Sequence, residues 1–192
     1  MNQIESADVY QILSFLLEYP TDEMQESLAD VREQAKRISN ENIHASLCFF
    51  IERMEKRPLD EWQELYIECF DFGRSTNLYV TYSKFGEQRQ RGLELLKLKE
   101  FYQASGFEVD DRELPDYLPL MLEFCASVPI EKSNSLLTPY WNEINTIRES
   151  LHEKESDFAL LLDALYFQMK ENGIPEKTAE TNGPVASASE DR

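Results

Sequence analysis

Trp62, Leu65, Tyr66, Cys69 and Phe70 fall at i, i+3, i+4, i+7 and i+8, the spacing that gathers apolar side chains on one face of an α-helix. The same spacing recurs along the chain. Val9, Ile12, Leu13, Leu16 and Leu17 form one such face, with Ser6 as its expected N-cap and Tyr19-Pro20 as its stop. Thr21 is placed to cap a second helix carrying Met24, Leu28, Val31, Ala35 and Ile38. Ile43, Leu47, Phe50, Ile51 and Met54 mark a third, ended before Pro58, and the Trp62 face belongs to a fourth that starts near Asp60. Leu78 to Phe85 reads as a short aromatic helix broken by Gly86, and Glu87 to Ser105 as a longer one closed by Gly106 at its C′ position. Leu120 to Ala126 is expected to be helical. So is the segment marked by Leu137, Tyr140, Ile144, Ile147 and Leu151. Phe158, Leu161, Leu162, Leu165 and Met169 mark the last helix, closed by Gly173 and Pro175.

A chain of 192 residues, 42% hydrophobic, can bury a sizeable core. Only 6 glycines, and a preponderance of Leu, Glu and Lys over Val and Thr, favour helices over a sheet. The reading is all-α: a single-domain bundle of about eight or nine helices over residues 1–175. Residues 176–192 have no apolar face and are expected to form a disordered polar tail.

The net charge of −18 argues against nucleic acid and anionic membranes as partners and suits a basic one, or simply solubility. Cys48, Cys69 and Cys125 are odd in number, widely spaced and apolar in context, as expected for reduced, buried thiols in a cytosolic protein. The N-terminus lacks the basic n-region of a secretory signal, and no apolar run approaches the ~20 residues that span a bilayer.

Pro115 and Pro119 stand four residues apart in Glu113-Leu114-Pro115-Asp116-Tyr117-Leu118-Pro119. If a helix began at Pro115, Pro119 would have no N–H to return to the Pro115 carbonyl, so the first turn would be open or kinked. The segment therefore reads as a shaped mouth with unpaired carbonyls, a carboxylate and a phenol. It holds no nucleophile–base pair and no ligand pair, which points to recognition rather than chemistry. His44 and His152 have no second ligand at i+4, so no metal site is expected. Asp71-Phe72-Gly73 lacks the other kinase motifs, and no phosphate-binding glycine loop occurs. Between Lys84 and Lys99, five basic residues face only Glu87 and Glu94. Arg89 and Arg91 could bind an anion through their guanidinium forks, or could pair internally with the acidic surroundings.

Three blocks carry a resemblance: Tyr66-Ile67-Glu68-Cys69-Phe70-Asp71; Leu78-Tyr79-Val80-Thr81-Tyr82 with Gly86-Glu87-Gln88-Arg89-Gln90-Arg91-Gly92; and Glu113 to Phe124 through the two prolines. In this order and spacing the chain resembles the NarJ branch of the TorD/DmsD family of redox-enzyme maturation chaperones, closely over roughly residues 66–126. The resemblance implies a TorD-like, cytoplasmic, all-helical chaperone that is not an enzyme. Its implied partner is the catalytic (alpha) subunit of nitrate reductase, bound through that subunit's N-terminal leader-like peptide. It would hold the subunit competent for molybdenum cofactor insertion and complex assembly before membrane docking, without itself entering the membrane. No cofactor would be bound stably, and any contact with molybdopterin guanine dinucleotide would be transient. The wider family has a histidine where this chain has Tyr117, so no histidine-dependent chemistry is carried over.

With the resemblance in hand, peptide binding is expected at Tyr66, Phe70, Asp71, Tyr79, Tyr82, Glu113, Asp116, Tyr117, Leu118 and Glu123. Arg89 and Arg91 are the candidates for contact with an anion or the client. The rival reading is a helical interaction or regulatory adaptor with no part in cofactor insertion.

Overall fold

Most helices begin where a side chain or a proline deals with the unpaired amides of the first turn. In α1 (Gln3–Leu16) the cap is Asn2, whose side-chain oxygen accepts the Glu5 amide at 2.9 Å. Ser6, the expected cap, lies one turn inside the helix. It is buried, and its hydroxyl accepts from Gln168 and Asn172 at 2.9 Å each. In α2 (Asp22–Ala35) Thr21 accepts the Met24 amide, and in α3 (Glu41–Glu55) Asn40 accepts those of Asn42 and Ile43. α4 (Leu59–Phe70) follows Pro58. α5 spans Arg89–Ala104, α6 Leu118–Ser127, α7 Ile130–Leu137, α8 Trp141–Glu153 and α9 Ala159–Glu171. Gly106 and Gly173, at φ +75° and +80°, close α5 and α9 in the left-handed conformation glycine adopts freely.

The structure is a computed structural model that describes residues 2–73, 75–82, 89–108 and 113–176. Gly86 and the polar tail expected over 176–192, apart from Glu176, lie outside the described residues. Among those described, the chain is all-helical, with an isolated antiparallel bridge between Tyr79 and Tyr117.

Two further expectations are corrected. The stretch from Leu137 to Leu151 is not one helix: Thr138–Tyr140 form a 3-10 turn around Pro139, which separates α7 from α8. The segment read as an aromatic helix begins instead with a bridge from Tyr79 to Tyr117 beside the proline segment and a turn closed by the Tyr82 amide on the Tyr79 carbonyl (2.9 Å); Tyr82 is helical, and residues 83–85 lie outside the described residues. The Val80 amide donates to the Asp116 carbonyl (3.0 Å), and the Leu118 amide to the Leu78 carbonyl (2.8 Å). The second bond satisfies a first-turn amide of α6, and Pro119 beside it has none to satisfy.

α1 lies along α6 and α9, α3 against α2 and α9, and α8 against α9. Phe158, at the start of α9, ties the core together. Its ring sits 5.7 Å from Tyr66 and 4.8 Å from Phe70, edges meeting faces, and 5.4 Å from Phe50 in a tilted contact. α5 is more peripheral: Leu98 and Tyr102 are its buried residues.

Candidate recognition face

The proline segment is built differently from the expected mouth of unpaired carbonyls. Leu114, Pro115, Asp116 and Tyr117 form a tight turn closed by the Tyr117 amide on the Leu114 carbonyl at 3.0 Å, with Pro115 where its fixed φ suits the turn. The helix starts only at Leu118, so Pro119 falls in the first turn, where a missing N–H costs nothing. The carbonyls are taken as well. Tyr102 Oη donates to Pro115 O (2.8 Å), Val80 N to Asp116 O (3.0 Å), and Ser14 Oγ to Pro119 O (2.8 Å). The segment is a rigid shelf, fastened to α1, α5 and residues 78–80.

Asp116 is fully buried in that shelf. Its Oδ2 accepts from the Thr81 hydroxyl (2.5 Å) and amide (3.2 Å), and from Arg91 Nη2 at 3.2 Å. Arg91 also reaches Thr81 Oγ1 through Nε (3.1 Å) and lies 5.9 Å and 5.4 Å from the Tyr79 and Tyr82 ring centres. Asp116 is therefore corrected from a surface carboxylate to the buried half of an ion pair. Of the two readings of Arg91, internal pairing is the one its geometry follows. Arg89 is exposed on α5. With Arg91 committed to Asp116, Arg89 and Arg91 form no shared fork for a cofactor phosphate. Among the described residues no cluster of three or more His, Cys, Asp or Glu could hold a metal ion.

The other expected site residues divide by depth. Phe70 and Leu118 belong to the core. Tyr66 and Tyr117 are buried, and their hydroxyl oxygens lie 3.2 Å apart; Tyr117 donates to Glu18 at 3.3 Å and Tyr66 to the Leu17 carbonyl at 3.2 Å. Burial lifts the Tyr66 phenol to about 12 and pushes that of Tyr117 up too, so both stay protonated donors. Tyr79 stacks 5.2 Å from Tyr117 and donates to Glu113 at 2.6 Å. Tyr79 and Tyr82 are half-buried, whereas Asp71, Glu113 and Glu123 are exposed.

Two further residues join this face. Glu18 and Tyr19, between α1 and α2, stand beside Tyr117 and Tyr66. The Tyr19 ring is 5.5 Å from that of Tyr66 and 44% exposed. Phe72, beside Asp71, is 82% exposed. The Glu18 carboxyl is held above its ordinary range by partial burial and by the neighbouring charges of Glu113 and Glu123, against the opposing hydrogen bond from Tyr117. Among the described residues no cation pairs with Glu18, Asp71, Glu113 or Glu123. The sequence signal for Glu18 and Tyr19 was slight: an acidic-aromatic pair ahead of the Pro20 stop.

The family model for the nitrate reductase delta subunit matches residues 33–159. The chain is 39% identical over 176 residues to the probable nitrate reductase molybdenum cofactor assembly chaperone NarJ of Bacillus subtilis (strain 168), covering 92% of this chain and 96% of that protein. It is 34% identical over 157 residues to the nitrate reductase molybdenum cofactor assembly chaperone NarJ of Escherichia coli (strain K12), covering 80% of this chain and 66% of that one. Among solved structures, one assigned as a redox enzyme maturation protein from Archaeoglobus fulgidus has the same fold, with a TM-score of 0.61 at 20% identity over 86% of this chain and 93% of the other. The relatives are named as chaperones, not catalysts.

Proposed function

The chain belongs to the nitrate reductase delta subunit family, and from that premise we propose that it is an assembly chaperone for nitrate reductase. It binds the N-terminal segment of the catalytic subunit and keeps that subunit open to molybdenum cofactor insertion before membrane docking. The observation that carries this reading is the recognition face itself. Carboxylates of Glu18, Asp71, Glu113 and Glu123 stand without cations among the described residues, beside the rings of Tyr19 and Tyr79, and the exposed Phe72 follows Asp71 in the chain. Such a face suits a helix that is apolar on one side and basic at its edges.

Magnitudes divide the work. An exposed ion pair contributes about 0.2–1 kcal/mol, and micromolar binding needs about 8 kcal/mol. Aromatic burial therefore supplies most of the affinity, while the carboxylates select and orient a basic segment. The cofactor is cargo for the client, and the committed Arg91 gives it no phosphate fork on this chain.

The test is calorimetry of a synthetic peptide from the N-terminus of the catalytic subunit against the full chain. Removing the two exposed rings together, Tyr19→Ala with Phe72→Ala, is expected to abolish binding with the fold intact, and moderate salt to weaken it only a few-fold. Normal binding by that variant, combined with collapse of affinity at moderate salt, would overturn the apolar account. Failure of the unaltered chain to bind the peptide would overturn the docking reading altogether.

A further inference from the structure

Arg89, Leu93, Leu96 and Glu100 stand at i, i+4, i+7 and i+11 on α5, the a/d spacing of a two-helix seam. They lie on the side opposite Leu98 and Tyr102, which anchor the helix to the body. Leu93 is 57% and Leu96 54% exposed, and both flanking charges are exposed. Among the described residues, neither Arg89 nor Glu100 has an ion-pair partner.

Gly92 borders this stripe in mid-helix, where glycine weakens a helix relative to alanine. A Cβ at this position would meet nothing within 4 Å, and its φ lies outside the left-handed region. Among the described residues of one copy, nothing requires glycine there. Its missing side chain does lower the flank of the helix along which a second helix would approach.

We propose that α5 pairs antiparallel with α5 of a second copy of this chain. The order of residues along the stripe selects that occupant. A cation stands at one end, a carboxylate at the other, and two leucines lie between. Two such stripes related by a two-fold axis set Leu93 against Leu96 of the partner subunit and Arg89 against Glu100 of the partner subunit, and the same two contacts again on the far side of the axis. A parallel pair would instead oppose arginine to arginine. Four residues per copy form a small contact, below the ~1,200 Å² of stable interfaces, so the dimer is weak and reversible. The net charge of −18 on each copy opposes association at low salt. Physiological salt shortens that repulsion to about 8 Å while leaving the leucine contact intact, so moderate salt favours the dimer. The surface lies apart from the acidic recognition face, and the proposal stands whether or not that face binds a leader peptide.

Sedimentation velocity of the full chain over a range of concentrations and salt tests it. The unaltered chain is expected to form a concentration-dependent dimer. Leu93→Glu with Leu96→Glu weakens it at least about tenfold, a loss of roughly one decade in the association constant. Arg89→Glu alone and Glu100→Arg alone each weaken it, because like charges then meet at both ends. Mixing those two variants restores association, since every altered end meets an opposite charge. Gly92→Ala raises the thermal midpoint yet weakens the dimer. An unaltered chain that stays monomeric throughout, a leucine variant that still dimerises normally, or a mixture no stronger than its separate members would each overturn the proposal. Circular dichroism melts of each variant establish that it folds.

Discussion

The guanidinium of Arg91 lies 3.2 Å from the carboxylate of Asp116, which no solvent reaches. With Thr81 bonded to both, the pair fastens the start of α5 and residues 78–82 to the shelf on which Tyr117 stands. A buried charge left without its partner is costly, whereas a pair replaced together by apolar side chains is often tolerated. Arg91→Met alone is expected to cost about 3–5 kcal/mol in urea denaturation. Arg91→Met combined with Asp116→Leu should cost clearly less. Equal losses in the single and double variants would mean that the pair is not the device that holds the shelf.

Two phenylalanines separate the core from the recognition face. Phe158 has no exposed surface and touches rings from α3 and α4, so Phe158→Ala is expected to cost about 3–5 kcal/mol. Phe72 is 82% exposed, and Phe72→Ala should leave stability within about 0.5 kcal/mol. Leader-peptide binding should nevertheless weaken in the Phe72 variant. A large stability loss in Phe72→Ala would show that its ring is packed and would remove it from the face.

Glu18 gives a pH dependence with a definite sign. Its carboxyl is raised in the fold, chiefly by burial, above an ordinary value of about 4.3. The ionised form is therefore the one the fold disfavours. The protonated group adds stability below the ordinary range, and that contribution is lost as pH climbs from the unfolded value through the folded one. Glu18→Gln keeps an acceptor for Tyr117 and discards the charge. At neutral pH the variant should be at least as stable as the parent, and its advantage should vanish as pH falls below about 4. A stability deficit at neutral pH that disappeared in acid would reverse the sign and refute the assignment.

Helices were legible where a local cap and an apolar face coincide. Thr21 and the Met24–Ile38 stripe, or Gly173 after Met169, need no distant information. Where two caps compete, local reading fails: Asn2 adds a turn ahead of Ser6, which the Gln168 and Asn172 side chains claim from the far end of the chain. Leu78 and Tyr79 have the composition of a helix yet pair with the proline segment through an isolated bridge, because α6 offers a first-turn amide and the Asp116 carbonyl needs a donor. Of the site, the tyrosines and the exposed carboxylates were found as types. Their depth was not, since only the folded chain sets Arg91 against Asp116, twenty-five positions on. Glu18 and Tyr19 joined the face for the same reason: α1 ends beside a shelf built from residues about a hundred positions later.

Tyr117 joins the shelf to the face, and its ring and hydroxyl are separable. The ring stacks on Tyr79, while the hydroxyl donates to Glu18 and lies 3.2 Å from that of Tyr66. Tyr117→Phe keeps the ring and removes the bond it donates to a carboxylate, a loss of about 1.5–3 kcal/mol in stability. Without that donor Glu18 loses its one stabilising hydrogen bond, so its carboxyl should titrate higher still, as carbon-detected NMR of the side chain would show. Leader-peptide affinity should fall only a few-fold, because the apolar surface stays in place. Tyr117→Ala removes the stacking partner of Tyr79 and should abolish binding. If Tyr117→Phe abolished binding as completely as Tyr117→Ala, the hydroxyl network rather than the ring would be the recognised element, and polar contacts would have to supply the affinity assigned here to aromatic burial.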